Sequence, residues 1–261
     1  MYGRTTAVPH PLSAQRGVGI DSPAVTPAIS IVIPIHNEED FLEAALVRLR
    51  GELAQIDADI ELILAENGST DGTGAMAEEL TADDASSRVL RLPEPDYGAA
   101  MRSGFETAGG EWVVNFDIDY FSAEFLAAGL ALEGGADLVL ASKRVEGADD
   151  RRSALRRAGT RIFNVLLRLL FRSKVSDTHG MKMIRRSVVT EVVPTVRSTR
   201  DLFDTELVVR AERAGYRIRE VPARVEELRD ARSSFLSRVP RTVIGLLRIR
   251  RDLWREGRSA G

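Results

Sequence analysis

Residues 28–53 read AISIVIPIHNEEDFLEAALVRLRGEL. Two periods meet inside this stretch. AISIVIPI (28–35) is a short β-rich apolar run, the pattern of a strand covered on both faces. Beyond His36 the spacing changes: Phe41, Leu42, Ala45, Leu46 and Leu49 recur at helical intervals. The same alternation then repeats. DIELILA (59–65) is a second strand, before a helix opening at STDGTGAMAEEL. RVLRLP (88–93) is a third, before a helix through Met101 and Phe105. EWVVNFD (111–117) is the fourth. Strands alternating with helices predict an α/β fold, a mostly parallel sheet with right-handed crossovers and helices on both faces.

Sheets of this kind bind ligands beyond the carboxyl ends of their strands. Here the first strand ends in Pro34-Ile35-His36-Asn37-Glu38. The second ends in Glu66-Asn67-Gly68-Ser69, with Asp71 at the next turn. The fourth ends in Asp117 and Asp119. Burying an unpaired charge is costly, so two carboxylates at the end of an apolar strand ask for a partner. Their hard oxygens suit Mg²⁺ or Mn²⁺. A purely structural reading competes: Asp119 capping the helix that begins near Ala123.

Downstream, helix is expected near Phe125–Leu132, strand at 136–142, a long helix over about 153–172 and a strand at 178–186. An amphipathic helix at 201–215 ends at a glycine, alternation marks 216–227 as a strand, and a last helix spans about Arg238–Trp254. Residues 1–27 carry prolines, glycines and small polar residues without periodicity, and read as a disordered leader. The chain thus divides into that leader, a catalytic-size domain over 28–235 and a basic amphipathic helix and tail over 236–261.

The 261 residues carry a formal charge of −3, unevenly spread. Every charged residue from Arg151 to Lys174 is basic, as are most beyond Arg229, which points to phosphates or a membrane face as partners. No apolar run approaches the roughly 20 residues that span a bilayer. There is no cysteine, hence no disulfide or thiolate site, and a reducing cytoplasm is the expected compartment. No P-loop and no HExxH occur. The segment GVGIDSP (17–23) follows no strand and so does not qualify as a dinucleotide fingerprint. His10, His36 and His179 form no spaced metal set. The basic stretches match no nucleic-acid motif, so nucleic acid is not an expected partner.

Four segments together carry a resemblance: SIVIPIHNEEDFLEAAL (30–46), LILAENGSTDGT (62–73), DYGAAMRSGFETAGGEWVVNFDID (96–119) and SDTHGMKMIRRS (176–187). In order and spacing they resemble the family 2 glycosyltransferases of GT-A fold, a Rossmann-like nucleotide-diphospho-sugar transferase architecture. They are most similar to the dolichyl- and polyprenyl-phosphate mannosyl- or glucosyltransferase branch. The resemblance implies a nucleotide-sugar donor (GDP-, UDP- or dTDP-hexose), a divalent metal, inversion at the anomeric carbon and a lipid-phosphate acceptor. Position by position it implies nucleotide contacts at Pro34, His36, Glu38, Glu66, Asn67 and Asp117, with metal ligation by Asp117 and Asp119. Arg144 and Arg229 would offset charge on the leaving diphosphate, beside Asp119. Arg156, Asp177, His179, Arg232 and Ser234 would face the acceptor or its phosphate. The chain departs from the pattern at Phe121, where relatives often have Gln, at Arg232 in place of Gly, and at Phe235 in place of Lys.

A lipid phosphate is already ionised and needs no base. A hydroxyl acceptor needs a carboxylate to take its proton, and Asp204 and Glu206 are the candidates. Their competing reading is a polar helix face. A non-catalytic sugar-nucleotide-binding protein is the alternative from another class. TRIFNVLLRLLFR (160–172), apolar on most sides, is read as core or acceptor groove. SRVPRTVIGLLRIRRDLW (237–254) divides evenly between core and the interface of a membrane's inner face.

Overall fold

The computed structural model describes residues 28–132, 134–142, 149–150, 154–199, 202–225 and 235–259. The leader expected over 1–27 lies outside them. The elements are β1 (Ile29–Ile35), α1 (Leu42–Leu53), β2 (Ile60–Asn67), α2 (Thr73–Thr81), β3 (Ser87–Leu92), α3 (Tyr97–Thr107), β4 (Trp112–Asn115), α4 (Ala123–Leu130) and β5 (Leu138–Ser142). Then follow β6 (Asp149–Asp150), α5 (Ala154–Phe171), β7 (Lys182–Arg185), α6 (Arg186–Val192), α7 (Phe203–Arg213), β8 (Ile218–Pro222), β9 (Arg224–Val225) and α8 (Phe235–Ser259).

Seven strands form one sheet in the order β3-β2-β1-β4-β7-β5-β8. All neighbours are parallel except β7, which runs antiparallel between β4 and β5. Ile29, Ile31, Val32, Ile33 and Ile35 of β1 are all buried, as a strand covered on both faces requires. One layer, with α1 and α4, packs Leu42, Ala45, Leu46 and Leu49 on Ile31, Ile33 and Met183. The other, with α3, α6 and α7, packs Met101, Phe105, Val188 and Phe203 on Val32, Val113 and Ile184. Fully burying one such side chain is worth about 1.5–3 kcal/mol.

Strand order reverses at β1: β2 lies on one side of it and β4 on the other. A crevice therefore opens at the carboxyl ends of β1 and β4. Because β7 is antiparallel to β4, its first residue arrives at that same edge: Lys182 is in register with Asn115.

The sheet's far side is pinned by Asp137, which accepts from the Arg217 backbone N–H at 2.9 Å and from its guanidinium at 2.7 and 2.9 Å. The Arg217 side-chain hydrogen bonds above all, opposed by partial burial, hold the Asp137 carboxyl down at about 2. A depressed carboxyl stabilises the fold above its unfolded value of about 3.9 and loses that contribution as pH falls. The stability gap between the parent and Asp137→Asn should therefore be constant above about pH 5 and shrink toward pH 2. Urea unfolding across that series checks it, and a gap that does not narrow contradicts it.

Candidate active site

The first two strand ends are stitched into one wall. Asn37 takes a positive φ of 53°, a conformation Asn tolerates better than most residues. Its backbone N–H donates to Ser69 Oγ at 3.0 Å, and its Oδ1 accepts from Thr70 N at 2.8 Å. Glu38 N donates to Thr73 Oγ1 at 2.7 Å. His36 Nδ1 lies 2.7 Å from the Asn67 carbonyl oxygen. A carbonyl only accepts, so Nδ1 carries the hydrogen and Nε2 faces the Asn37 amide at 3.3 Å. Gly68, with φ +60°, passes so close to the next loop that a Cβ would sit 2.6 Å from the Glu94 carbonyl carbon.

Glu66 and Asn67 serve this wall directly. The Glu66 carboxylate is buried, accepts from Ser69 N at 2.5 Å and lies 3.6 Å from Arg91 Nε. Asn67 Oδ1 accepts from Asp96 N at 2.7 Å. Asp96 in turn caps α3, accepting from Ala99 N at 3.0 Å. The second strand end is thereby fixed to the residue before Tyr97.

The third strand end is a tight turn. Asp117 and Tyr120 exchange backbone hydrogen bonds at 3.0 and 3.1 Å. Asp117 and Asp119 are partly exposed, while Ile118 between them is buried. The helix cap that competed for Asp119 is taken by Ser122, which accepts from Phe125 N at 3.1 Å. Phe121 is buried beside Phe116 and Phe125, with the Arg48 guanidinium 4.5 Å above its ring. It is a core residue here, at the position where the resemblance implies Gln.

Beneath the Asp117 turn lies a buried polar group that sequence reading missed. Lys182 is fully buried. Its Nζ donates to Gly180 O at 2.7 Å and Asn115 Oδ1 at 3.3 Å, and pairs with Asp204 Oδ2 at 3.2 Å. Tyr97 donates its hydroxyl to the same Asp204 oxygen at 3.0 Å. Burial first, then the charges of Asp204 and Asp117, push the Tyr97 hydroxyl well above the ordinary phenol value, so it stays a donor. Asp204 Oδ1 finds no hydrogen-bond partner among the described residues. The only sequence-level trace was a lysine inside the apolar run Met181–Ile184.

The polar-face reading of Asp204 and Glu206 is corrected: both are buried, at 6% and 1% exposure. Glu206 has both oxygens committed, to Arg210 Nε and to Ser198 N, each at 2.6 Å. Asp177 is buried too. Its Oδ1 accepts from His179 N at 3.0 Å, and its Oδ2 has no partner among the described residues. His179 meets the ring of Phe163 on α5 edge-on at 5.3 Å. Thr178 Oγ1 lies 3.1 Å from Thr205 Oγ1, joining this loop to the start of α7. Arg144, Arg229, Arg232 and Ser234 lie outside the described residues. Arg156 falls in the first turn of α5. A cavity of about 520 Å³ lies elsewhere, lined by residues of 197–206 and α8 and by none of the strand ends.

The arrangement is a polar cleft at the topological switch of an α/β sheet. Residues 30–193 match the family described as Glycosyl transferase family 2. The chain belongs to that family. The polyprenol monophosphomannose synthase of Mycolicibacterium smegmatis is 31% identical over 224 residues, covering 81% of this chain and 83% of that protein. The glycosyltransferase AglD of Haloferax volcanii is 32% identical over 205 residues. This stretch is 74% of the chain but only 32% of AglD's length. Among solved structures, glucosyl-3-phosphoglycerate synthase from Mycobacterium tuberculosis, in complex with Mn²⁺, UDP-glucose and phosphoglyceric acid, superposes with a TM-score of 0.63. The match is 23% identical over 86% of this chain and 79% of that one. That similarity establishes the GT-A fold of this family 2 glycosyltransferase.

A divalent cation fits this glycosyltransferase's donor set. Asp117 and Asp119 are hard ligands, part-exposed on one short turn, with the intervening Ile118 turned inward. Among the described residues no three His, Asp or Glu side chains cluster tightly enough to enclose an ion. The pair would therefore share it with water and substrate phosphate oxygens, the usual habit of Mg²⁺ and of oxygen-ligated Mn²⁺.

Proposed function

We propose that this chain moves a single hexose from a nucleotide sugar to a polyprenyl phosphate, with inversion at the anomeric carbon. The observation that carries this is the convergence of three strand ends. Hydrogen bonds link His36, Asn67 and the α3 start, and the Asp117 turn ends the neighbouring strand β4, close enough for its charge to raise the Tyr97 hydroxyl. The M. smegmatis relative, matched over most of its length, supports the acceptor class.

In this reading the loops at Pro34–Glu38 and Glu66–Asp71 hold the nucleoside, and Asp117 and Asp119 face the diphosphate. A bound Mg²⁺ or Mn²⁺ there supplies positive charge against the leaving nucleoside diphosphate. Arg144 and Arg229 are assigned to the same end by their charge. Arg156, Asp177, His179, Arg232 and Ser234 are assigned to the acceptor side. An ionised phosphate oxygen attacks the anomeric carbon directly, so no proton has to be removed. The occupancy of α7 agrees with that: Glu206 has no oxygen to spare, and one Asp204 oxygen is held by Lys182 and Tyr97.

The second reading is transfer to a sugar hydroxyl in cell-wall, exopolysaccharide or glycolipid assembly. Asp204 Oδ1, buried and without a hydrogen-bond partner among the described residues, favours it, since an acceptor reaching that atom could pass it the proton. The test is incubation with labelled GDP-, UDP- and dTDP-hexoses, Mg²⁺ or Mn²⁺, and a short polyprenyl phosphate. Label on the lipid phosphate is expected. Label on a glycan or glycolipid hydroxyl, and none on lipid phosphate, overturns the acceptor assignment. A thermal shift with nucleotide and metal, but no transfer or donor hydrolysis, makes the chain a binding protein instead.

A further inference from the structure

The outward sides of α5 and α8 carry apolar side chains that the core does not use. On α5, Ile162, Val165 and Leu169 are 64%, 52% and 73% exposed, so this side of the helix is not core. At 3.6 residues per turn they fall within about 60° of one another. On α8, Ile244, Leu247 and Trp254 are 60%, 53% and 56% exposed. The opposite sides are already satisfied: Leu167 and Phe171 of α5 pack with Leu246, Ile249 and Leu253 of α8 over Leu202 and Val209.

Arginine borders both apolar stripes. Between Ala154 and Phe171, α5 has four arginines and no acid. Arg161 and Arg168 are exposed in the sector beside the apolar stripe. Helix α8 has seven arginines, and its two acids are engaged: Asp252 with Arg251, Glu256 with Arg210 and Arg197. Arg258 lies over the Trp254 ring at 4.7 Å. The cavity of about 520 Å³ opens beside Ile244, where Arg197, Arg241 and Arg248 line it together with the carboxylates of Glu206 and Asp252.

We propose that these two outward faces dock on the anionic surface of a lipid bilayer, apolar residues among the acyl-chain ends and arginines on the headgroups. Stripes of this composition lie in the interface plane. No described helix is long and apolar enough to cross a membrane, so the contact is a surface one. A second copy of the chain fits less well. A two-fold contact would set the arginine borders against themselves. Docking does not depend on which acceptor the cleft takes.

The experiment is co-sedimentation with phosphatidylcholine vesicles, with and without phosphatidylglycerol. Binding is expected only with phosphatidylglycerol and should weaken as salt rises. Replacing Arg168 or Arg248 by Gln should each weaken it about fivefold. The triple variant Leu169→Gln, Leu247→Gln, Trp254→Gln should lose it at least roughly tenfold, because interfacial binding scales with buried apolar area. All three positions are exposed, so folding is preserved. Transfer to a short, soluble lipid phosphate, measured in parallel, should be unchanged in the triple variant. No sedimentation with anionic vesicles overturns the docking surface even when transfer is intact. So does a concentration-dependent dimer that the triple variant abolishes, which would assign the face to a second copy.

Discussion

Asp117→Asn should cut hexose transfer by roughly 10²–10³-fold, the scale seen when one preorganised electrostatic element is lost from a charged transition state. The turn that presents Asp117 is closed by backbone hydrogen bonds to Tyr120, which Asn at this position keeps. Asn keeps the shape and removes the anionic oxygen proposed to hold the metal. Turnover with labelled donor across a Mn²⁺ titration reads the effect. A metal requirement shifted to higher concentration, with unchanged unfolding, is the expected pattern. Turnover within tenfold of the parent would remove Asp117 from the reacting centre.

Lys182→Met should have the largest effect on stability, about 3–5 kcal/mol, the usual cost of breaking a buried pair from one side. Lys182 and Asp204 side chains are 1% and 9% exposed, so neither charge has water to fall back on. Among the described residues, losing the ammonium leaves Asp204 with the Tyr97 hydroxyl and takes the donor from Asn115 Oδ1. The double variant Lys182→Met, Asp204→Leu should recover part of the loss, since an apolar pair of similar volume is often tolerated. Urea unfolding midpoints measure both. A single variant within about 1 kcal/mol of the parent would show that the pair is not stabilising in place.

Strand positions and the polar edge could be read from sequence because they rest on local patterns. An apolar run followed by helical spacing marks a strand–helix unit, and the residue after the run marks the edge. The direction of β7 could not be read: MKMIR has the same composition whichever way it runs, and its pairing with β4 joins residues about 70 apart. The Tyr97–Asp204 hydrogen bond spans 107 residues and leaves no local signature. Phe121 shows the converse difficulty. Its place in the motif is one where the resemblance implies Gln, but the cluster of Phe116 and Phe125 takes its ring into the core. Asp204 and Glu206, two residues apart, looked equivalent. Only the packed structure shows one with a spare oxygen and the other with none.

The ladder between β4 and β7 also sets a limit on how this cleft can vary. Side chains alternate along β7, so Lys182 points toward the layer of Ile184 and Phe203, and Met183 toward that of Ile31 and Leu46. A slip of one residue in the pairing of β7 with β4 would exchange those faces. The lysine would then enter an all-apolar layer, and a methionine would face Asp204. The register of β7 is thus locked from both sides, by a buried charge on one face of the sheet and an apolar layer on the other.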